Sequence, residues 1–297
     1  MDRVYQLSGG VTVSRMQPAI GAVVSGIDLH QGFTDEHAES IRQALYSHGV
    51  IVLRGQEAMG YEDHVAFAGI FGALICEGHI PERPEVQPIS GKVGSKEGIA
   101  CYWHSDGVYK PEPEVASILR AIEPCSFGGD TCWSSGVAAY ANLADDMKEQ
   151  LRELRFNSSL TARMPRDYDQ FGNSDSWNRL REKYPPVTQP AVSVHPVTGT
   201  RAIYVNQSWT IDIVGMDETQ SEALIALLTA EIRRPECQCR WQWSQGDIAI
   251  WDNRLVQHYG VPDHTADRYL ERITVSGGPV LSIADWEARQ EKVKIGA

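Results

Sequence analysis

The stretch Asp247-Ile248-Ala249-Ile250-Trp251-Asp252-Asn253-Arg254, followed closely by Gln257-His258-Tyr259, is an apolar strand that ends in a polar turn and leads to a histidine. Other short runs rich in Val and Ile and bounded by Gly or Asp cover Ala22 to Ile27 and Gly49 to Leu53. Weaker ones lie at Arg201 to Val205 and Arg272 to Val275. Helical patterns interrupt these strands. Thr34 to His48 opens on a Thr-Asp-Glu cap signal, and Ala138 to Leu154 carries apolar residues at helical spacing. Asp217 to Arg234 starts with an Asp217/Gln220 capping box, aligns Leu224, Leu227, Leu228 and Ile232 on one face, and stops at Pro235. Helices lie mostly in the first half and in one late insertion, while strands recur to the end. That order is α+β, not a run of alternating βαβ units. The polar stretch from Met164 to Pro190 reads as a long excursion of the kind that forms active-site lids.

Length and charge bound what such a chain does. Its 297 residues, 42 % of them hydrophobic, suffice for a sizeable core of one or two domains. Lys plus Arg number 27 against 39 Asp plus Glu, a net charge of −12, which argues against a nucleic-acid or anionic-membrane partner. No window approaches the roughly 18 apolar residues of a membrane span. The six cysteines form no CxxC pair, and no apolar segment follows the N-terminal charges. The expectation is reduced thiols and a cytoplasmic protein.

Four groups of residues carry candidate chemistry. In Tyr102-Trp103-His104-Ser105-Asp106, His104 and Asp106 stand two apart, so on a strand their side chains share a face. They supply two thirds of a two-His, one-carboxylate metal triad, or a plain His–Asp hydrogen bond on a surface turn. His258 is a third ligand or a core-edge histidine bonded to a carbonyl. Arg268 and Arg272 follow it. Facing inward they would need an anion, which a guanidinium fork grips in bidentate fashion, and facing outward they are solvated charges. Gly128-Gly129-Asp130-Thr131 is a tight turn entering a strand, with the Thr131 hydroxyl a possible ligand donor.

The order of these motifs resembles the taurine dioxygenase family of Fe(II)/2-oxoglutarate-dependent dioxygenases, which includes alkylsulfatase and aryloxyalkanoate dioxygenases. The matching stretches are Ala19-Ile20-Gly21-Ala22, Ser25-Gly26-Ile27-Asp28-Leu29, Val50-Ile51-Val52-Leu53-Arg54, Trp103-His104-Ser105-Asp106 and Gly128 to Gly136. Further on come His195-Pro196-Val197-Thr198-Gly199, Tyr204-Val205-Asn206-Gln207, Trp251 to Arg254 and Gln257-His258-Tyr259. The resemblance implies a mainly β, α+β chain: one double-stranded β-helix (jelly roll) domain with flanking helices over residues 1–297. It implies iron on His104, Asp106 and His258, and the distal carboxylate of 2-oxoglutarate on Thr131 and Arg268. Arg272 aligns with the arginine that holds the substrate sulfonate. The loop from His258 to Arg268 is one residue shorter than in taurine dioxygenase. The cofactors implied are Fe(II), with 2-oxoglutarate and O2 as co-substrates.

Two departures bear on substrate. Ala100 replaces an asparagine that contacts taurine in the family's namesake. After the Phe71-Gly72 turn, the place of a substrate-contacting histidine falls near Glu77, with His79 two residues on. Both losses remove polar partners for a small amino-sulfonate. They argue against taurine and for a larger or more apolar acid, such as an aryloxyalkanoate or a sulfonate or sulfate ester. The expected partner is thus a small anionic molecule, with no nucleic acid and no membrane. Homo-oligomers are common in such enzymes. Two alternatives stand beside this reading: a metal hydrolase using the same His-Asp-His set, and a non-catalytic 2-oxoglutarate-binding protein on the same fold.

Overall fold

The computed structural model describes residues 2–93, 102–162 and 174–296. Strands β1 (Val4–Gln6), β2 (Thr12–Arg15), β3 (Ala22–Ser25), β4 (Val50–Leu53), β5 (Gln87–Gly91), β6 (Ala116–Glu123), β7 (Thr131–Ser135) and β8 (Arg155–Ser158) occupy the first half. Strands β9 (Val187–Pro190), β10 (Val192–Val194), β11 (Arg201–Ile203), β12 (Thr210–Ile213), β13 (Gln238–Trp241), β14 (Ile248–Asp252), β15 (Val256–Gly260) and β16 (Arg268–Val275) follow. The helices are α1 (Asp35–His48), α2 (Tyr61–Gly69), α3 (Gly136–Asn142), α4 (Asp145–Leu151), α5 (Ser174–Lys183), α6 (Glu218–Ile232) and α7 (Ile283–Gly296).

Two sheets face each other as the layers of a jelly roll. The larger has the order β1-β2-β3-β4-β14-β6-β16-β5, and the smaller that carries the site is β13-β7-β15. Side chains from both, among them Val50, Val52, Leu119, Ala249 and Trp251 from the first and Trp133, Trp241 and Val256 from the second, form one core cluster between them. The opposite face of the large sheet carries Ile51, Leu53, Ile118, Ile250, Ile273 and Val275, packed on Ile41 and Leu45 of α1 and Phe67 of α2. This double covering explains why Val50-Ile51-Val52-Leu53 is an unbroken apolar run, all four buried, where a one-sided strand would alternate.

All pairings in the large sheet are antiparallel except β3 with β4. The connection there runs through α1, so the chain contains one parallel crossover inside an otherwise antiparallel fold. The cap expected at α1 is present and takes the form of a Thr34/His37 capping box, and the capping box expected at α6 is present at Asp217/Gln220. Ala138 to Leu154 is not one helix. Leu143 and Ala144 are extended, at ψ 147° and 153°, and split it into α3 and α4. The break lets Leu143 enter the core and puts Asp145 and Asp146 in the first turn of α4, where the helix dipole favours acids.

Of the polar excursion, the described part is α5 and β9, and residues 163–173 lie outside the described residues. Cys76, Cys125, Cys132, Cys237 and Cys239 are free thiols, and Cys101 lies outside the described residues. Among the described residues no helix is long and apolar enough to cross a membrane.

Candidate active site

Between the two sheets lies a cavity of about 300 Å3, and strand periodicity decides which side chains line it. On β16 the residues two apart, Arg268, Leu270 and Arg272, all face inward. The strand begins at Arg268, four residues earlier than the Arg272 start read from the sequence, and this extension brings both guanidinium groups to the cavity. Gln87 and Ile89 of β5 join them, with Arg268 paired to Gly91 and Arg272 to Gln87 in register. The opposite wall is Thr131 of β7 with His258 and Gly260 of β15.

His104 and His258, remote in sequence, are locked together by a reciprocal backbone pair. His104 N–H donates to the His258 carbonyl at 3.1 Å, and His258 N–H to the His104 carbonyl at 2.7 Å. His104 thus sits in an isolated β-bridge, while Asp106 begins a turn rather than continuing the strand expected from the two-residue spacing. Its carboxylate still converges. Oδ1 of Asp106 lies 3.8 Å from Nε2 of His104 and 3.9 Å from Nε2 of His258. The three ligand atoms fall within 4.8 Å of one another, the single such group among the described residues.

This donor set fits a divalent iron. Nδ1 of His104 bonds the Tyr102 carbonyl at 2.7 Å, which places the proton there and leaves Nε2 as the ligand atom. Burial holds both imidazoles neutral, lowering His104 and pushing His258 down to about 3. Burial alone would raise Asp106. The Arg272 guanidinium, the two histidines and the Ser117 hydroxyl outweigh it and hold the carboxyl well below the usual carboxylate range. Burial likewise works against the charge on Arg272, and Asp106 overrides it. Two neutral imidazoles and one ionised carboxylate are the protonation states that bind metal.

A network unseen in the sequence fixes the carboxylate. Ser117 Oγ donates to Oδ2 at 2.7 Å, and Asn253 Nδ2 donates to Ser117 Oγ at 3.0 Å. Asp106 N–H donates in turn to Asn253 Oδ1 at 3.2 Å, which also accepts Trp251 Nε1 at 2.9 Å. Arg272 closes the frame: Nη1 donates to Asp106 Oδ1 at 2.8 Å, while Nε and Nη2 donate to Gln87 Oε1 at 3.1 and 2.6 Å. Asn253 belongs to the Trp251–Arg254 motif. Ser117 and Gln87 gave no signal, because a lone polar residue in a strand is common.

Thr131 and Arg268 line the same cavity, the first buried with Oγ1 accepting from Trp243 Nε1 at 3.0 Å, the second donating to the Gly129 carbonyl. Gly129 has φ +71°, which favours glycine, and a Cβ there would crowd the Arg268 guanidinium at 3.3 Å. One of the residues singled out in the sequence, His79, is not among those lining the cavity. His79 is exposed and bonds Glu77 at 2.9 Å. Ala100 lies outside the described residues. Trp209, Tyr109 and Glu114 also line the cavity, and no sequence motif marks them.

With this geometry in view, residues 12–274 match the family model described as "Taurine catabolism dioxygenase TauD, TfdA family". The chain belongs to the taurine dioxygenase family. An alkylsulfatase of Acinetobacter baylyi is 32 % identical over 87 % of this chain and 82 % of that protein. An alpha-ketoglutarate-dependent sulfate ester dioxygenase of Pseudomonas putida is 31 % identical over 87 % of each. The solved structure of a taurine dioxygenase from Burkholderia xenovorans superposes with a TM-score of 0.79 at 32 % identity, covering 93 % of this chain and 94 % of that one. As a member of the family the chain is a 2-oxoglutarate-dependent non-haem iron dioxygenase on a jelly-roll fold, with Fe(II), 2-oxoglutarate and O2 as its cofactor and co-substrates.

Proposed function

We propose that this dioxygenase hydroxylates a small organic anion, with His104, Asp106 and His258 holding the iron. Thr131 and Arg268 receive the distal carboxylate of 2-oxoglutarate, and Arg272 receives the anionic group of the substrate. The observation that carries this reading is the common cavity: three metal-ligand atoms, two inward arginines and a threonine hydroxyl meet in one space of about 300 Å3. Bound Fe(II) supplies O2 activation coupled to oxidative decarboxylation of 2-oxoglutarate to succinate and CO2, with the second oxygen atom going to the substrate C–H bond.

The protein residues bind, orient and shield. Arg272 uses three of its five N–H donors on Asp106 and Gln87 and retains two for an anion. Leu119, Ile89, Leu270, Trp209 and Trp251 surround the charged groups with apolar surface, which strengthens each ionic contact and excludes bulk water. The alkylsulfatase and sulfate ester dioxygenase among its relatives support a sulfate or sulfonate ester as substrate. Hydroxylation of a carbon bearing oxygen or sulfur leads to cleavage of that C–O or C–S bond. The chain is proposed to act as one domain over residues 1–297. A hydrolase would have no use for the Thr131–Arg268 pair.

Anaerobic addition of Fe(II) and 2-oxoglutarate tests the assignment. A weak visible charge-transfer band is expected with the intact protein and none with Asp106→Ala. Zinc-supported hydrolysis without such a band would sink it. For the substrate, Arg272→Ala must raise the dissociation constant of the best acid found by succinate release; unchanged affinity rejects Arg272 as the anchor.

A further inference from the structure

The loop that joins β15 to β16 ends on Arg268, and its middle residue is His264. One side of the loop is stapled to the turn before β7. Asp263 Oδ1 accepts from the Gly129 N–H at 2.8 Å, and the Thr265 N–H and hydroxyl both donate to the Phe127 carbonyl, at 3.2 and 2.9 Å. Arg240 bridges the Asp130 and Asp263 carboxylates at 2.6 and 3.2 Å. Toward β5, the Val93 N–H donates to Asp267 Oδ1 at 3.0 Å, and Nε2 of His264 donates to the Lys92 carbonyl at 3.1 Å. Two glycines border both His264 and Arg268. A Cβ on Gly91, the β5 residue paired to Arg268, would stand 3.0 Å from Cγ and Nε of Arg268 and 3.3 Å from Nε2 of His264. A Cβ on Gly129 would stand 3.0 Å from Cβ of His264 and 3.3 Å from Cδ and Nη1 of Arg268. The arginine stem and the imidazole are therefore neighbours in a slot bordered by two residues without side chains.

An arginine loses rotamer freedom when it is held in one geometry, and that cost falls on ligand binding unless the protein has already met it. The Gly129 carbonyl accepts from Nη1 and so fixes one point of the guanidinium. The two glycines leave the stem room to move, and the residue that fills that room is His264. We infer that His264 is a positioning residue for the co-substrate: its ring, tied to the Lys92 carbonyl beside the Arg268 stem, holds the guanidinium where the distal carboxylate of 2-oxoglutarate arrives. This rests on the proposed role of Arg268 and deepens it. His264 is not among the residues lining the cavity, so it acts through the arginine and not by touching the keto acid. A planar ring with one N–H on a backbone carbonyl suits the task, since it has no long stem of its own to order.

The test compares two keto acids of equal chain length, 2-oxoglutarate and 2-oxopentanoate, which share the keto-acid end and differ in the distal carboxylate. Each is titrated anaerobically into the Fe(II)-loaded protein, and its dissociation constant is read from the charge-transfer band. The ratio of the two constants measures the grip on the distal carboxylate. His264→Ala is expected to lower that ratio about tenfold, the scale of coupling between side chains in contact, and to leave the 2-oxopentanoate constant unchanged. His264→Gln, whose amide reaches the place of Nε2, should recover most of the ratio, and His264→Asn, whose amide falls short, should not. This second pair keeps the comparison if the alanine variant melts early. Arg268→Ala should bring the ratio close to one, and adding His264→Ala to it should change nothing more. Equal weakening of both keto acids, as a merely unsettled loop would give, overturns the proposal. So does an unchanged ratio in His264→Ala, or a full further loss in the double variant. A ratio near one in the intact protein, or one that survives Arg268→Ala, would instead overturn the role of Arg268 on which the inference rests.

Discussion

Ser117 is the smallest residue in the frame around Asp106, and its removal isolates what that frame contributes. Its hydroxyl donates to Oδ2 and accepts from Asn253, so Ser117→Ala frees one carboxylate oxygen and leaves the Asn253 amide short of a partner. Groups that orient metal ligands typically carry ten- to a hundredfold of affinity. Ser117→Ala is therefore expected to weaken Fe(II) binding by about tenfold in a direct metal titration, with the fold kept. An unchanged iron affinity would show that Arg272 and the backbone hold the carboxylate unaided. Arg272→Lys separates charge from geometry at the same place. One ammonium cannot span Asp106 and Gln87 and still offer a paired face to an anion, so the lysine variant is expected to resemble Arg272→Ala in substrate affinity. Recovery of affinity by lysine would mean that only the charge matters. The convergence of His104, Asp106 and His258, whose ligand atoms lie within 4.8 Å of one another, was legible in the sequence because metal chemistry restricts residue types and because the surrounding motifs are dense. Gln87 and Ser117 were not, since their meaning depends on which side chains the fold sets across from them.

At the scale of elements, alternation along strands separates what was readable from what was not. The run Val50-Ile51-Val52-Leu53 announced a strand, yet its lack of alternation is intelligible only once both faces of the sheet are seen to be covered. The start of β16 was missed because Arg268 and Glu271 are poor strand residues by composition. Their charges are tolerated there because Arg268 faces the cavity and Glu271 meets Arg83 on the other face. The break at Leu143 was hidden by apolar spacing that continues through it. Helix caps were the most legible local feature, and α6 allows a quantitative check. Asp217 accepts from the Gln220 N–H at 2.8 Å, and Gln220 returns a bond to the Asp217 N–H. Asp217→Ala is expected to cost about 1 kcal/mol, read as a lower denaturant midpoint at constant slope. A change within measurement error would place the stability of α6 wholly in the burial of Leu224, Ile225, Leu228 and Ile232.

Over the whole molecule, buried histidines make acid the direction of weakness. Burial lowers His48 to about 4 and His64 to about 3, His64 being fully enclosed behind the large sheet. In the unfolded chain both titrate near 6.5. Above that value neither form carries the proton, and the fold bears no cost. Between about 6.5 and 4 the unfolded chain binds protons that the folded one refuses, so stability falls as pH drops through that window. Below about 4 the buried carboxylates of Asp106 and Asp252, held ionised by Arg272 and Arg254, add a second loss in the same direction. Each histidine contributes at most about 1.4 kcal/mol per pH unit within its window. Urea unfolding of the metal-free protein is therefore expected to give a stability that rises steadily from pH 4.5 to 6.5 and levels off above it. His64→Gln should flatten that rise by up to about 1.4 kcal/mol per unit whatever it does to the absolute stability, because only the slope counts protons. A slope identical in the two proteins would mean that His64 is protonated in the folded state. The charge would then need an acidic partner at the α2–sheet contact, where the charged groups acting on His64 are the cations Arg120 and Arg83.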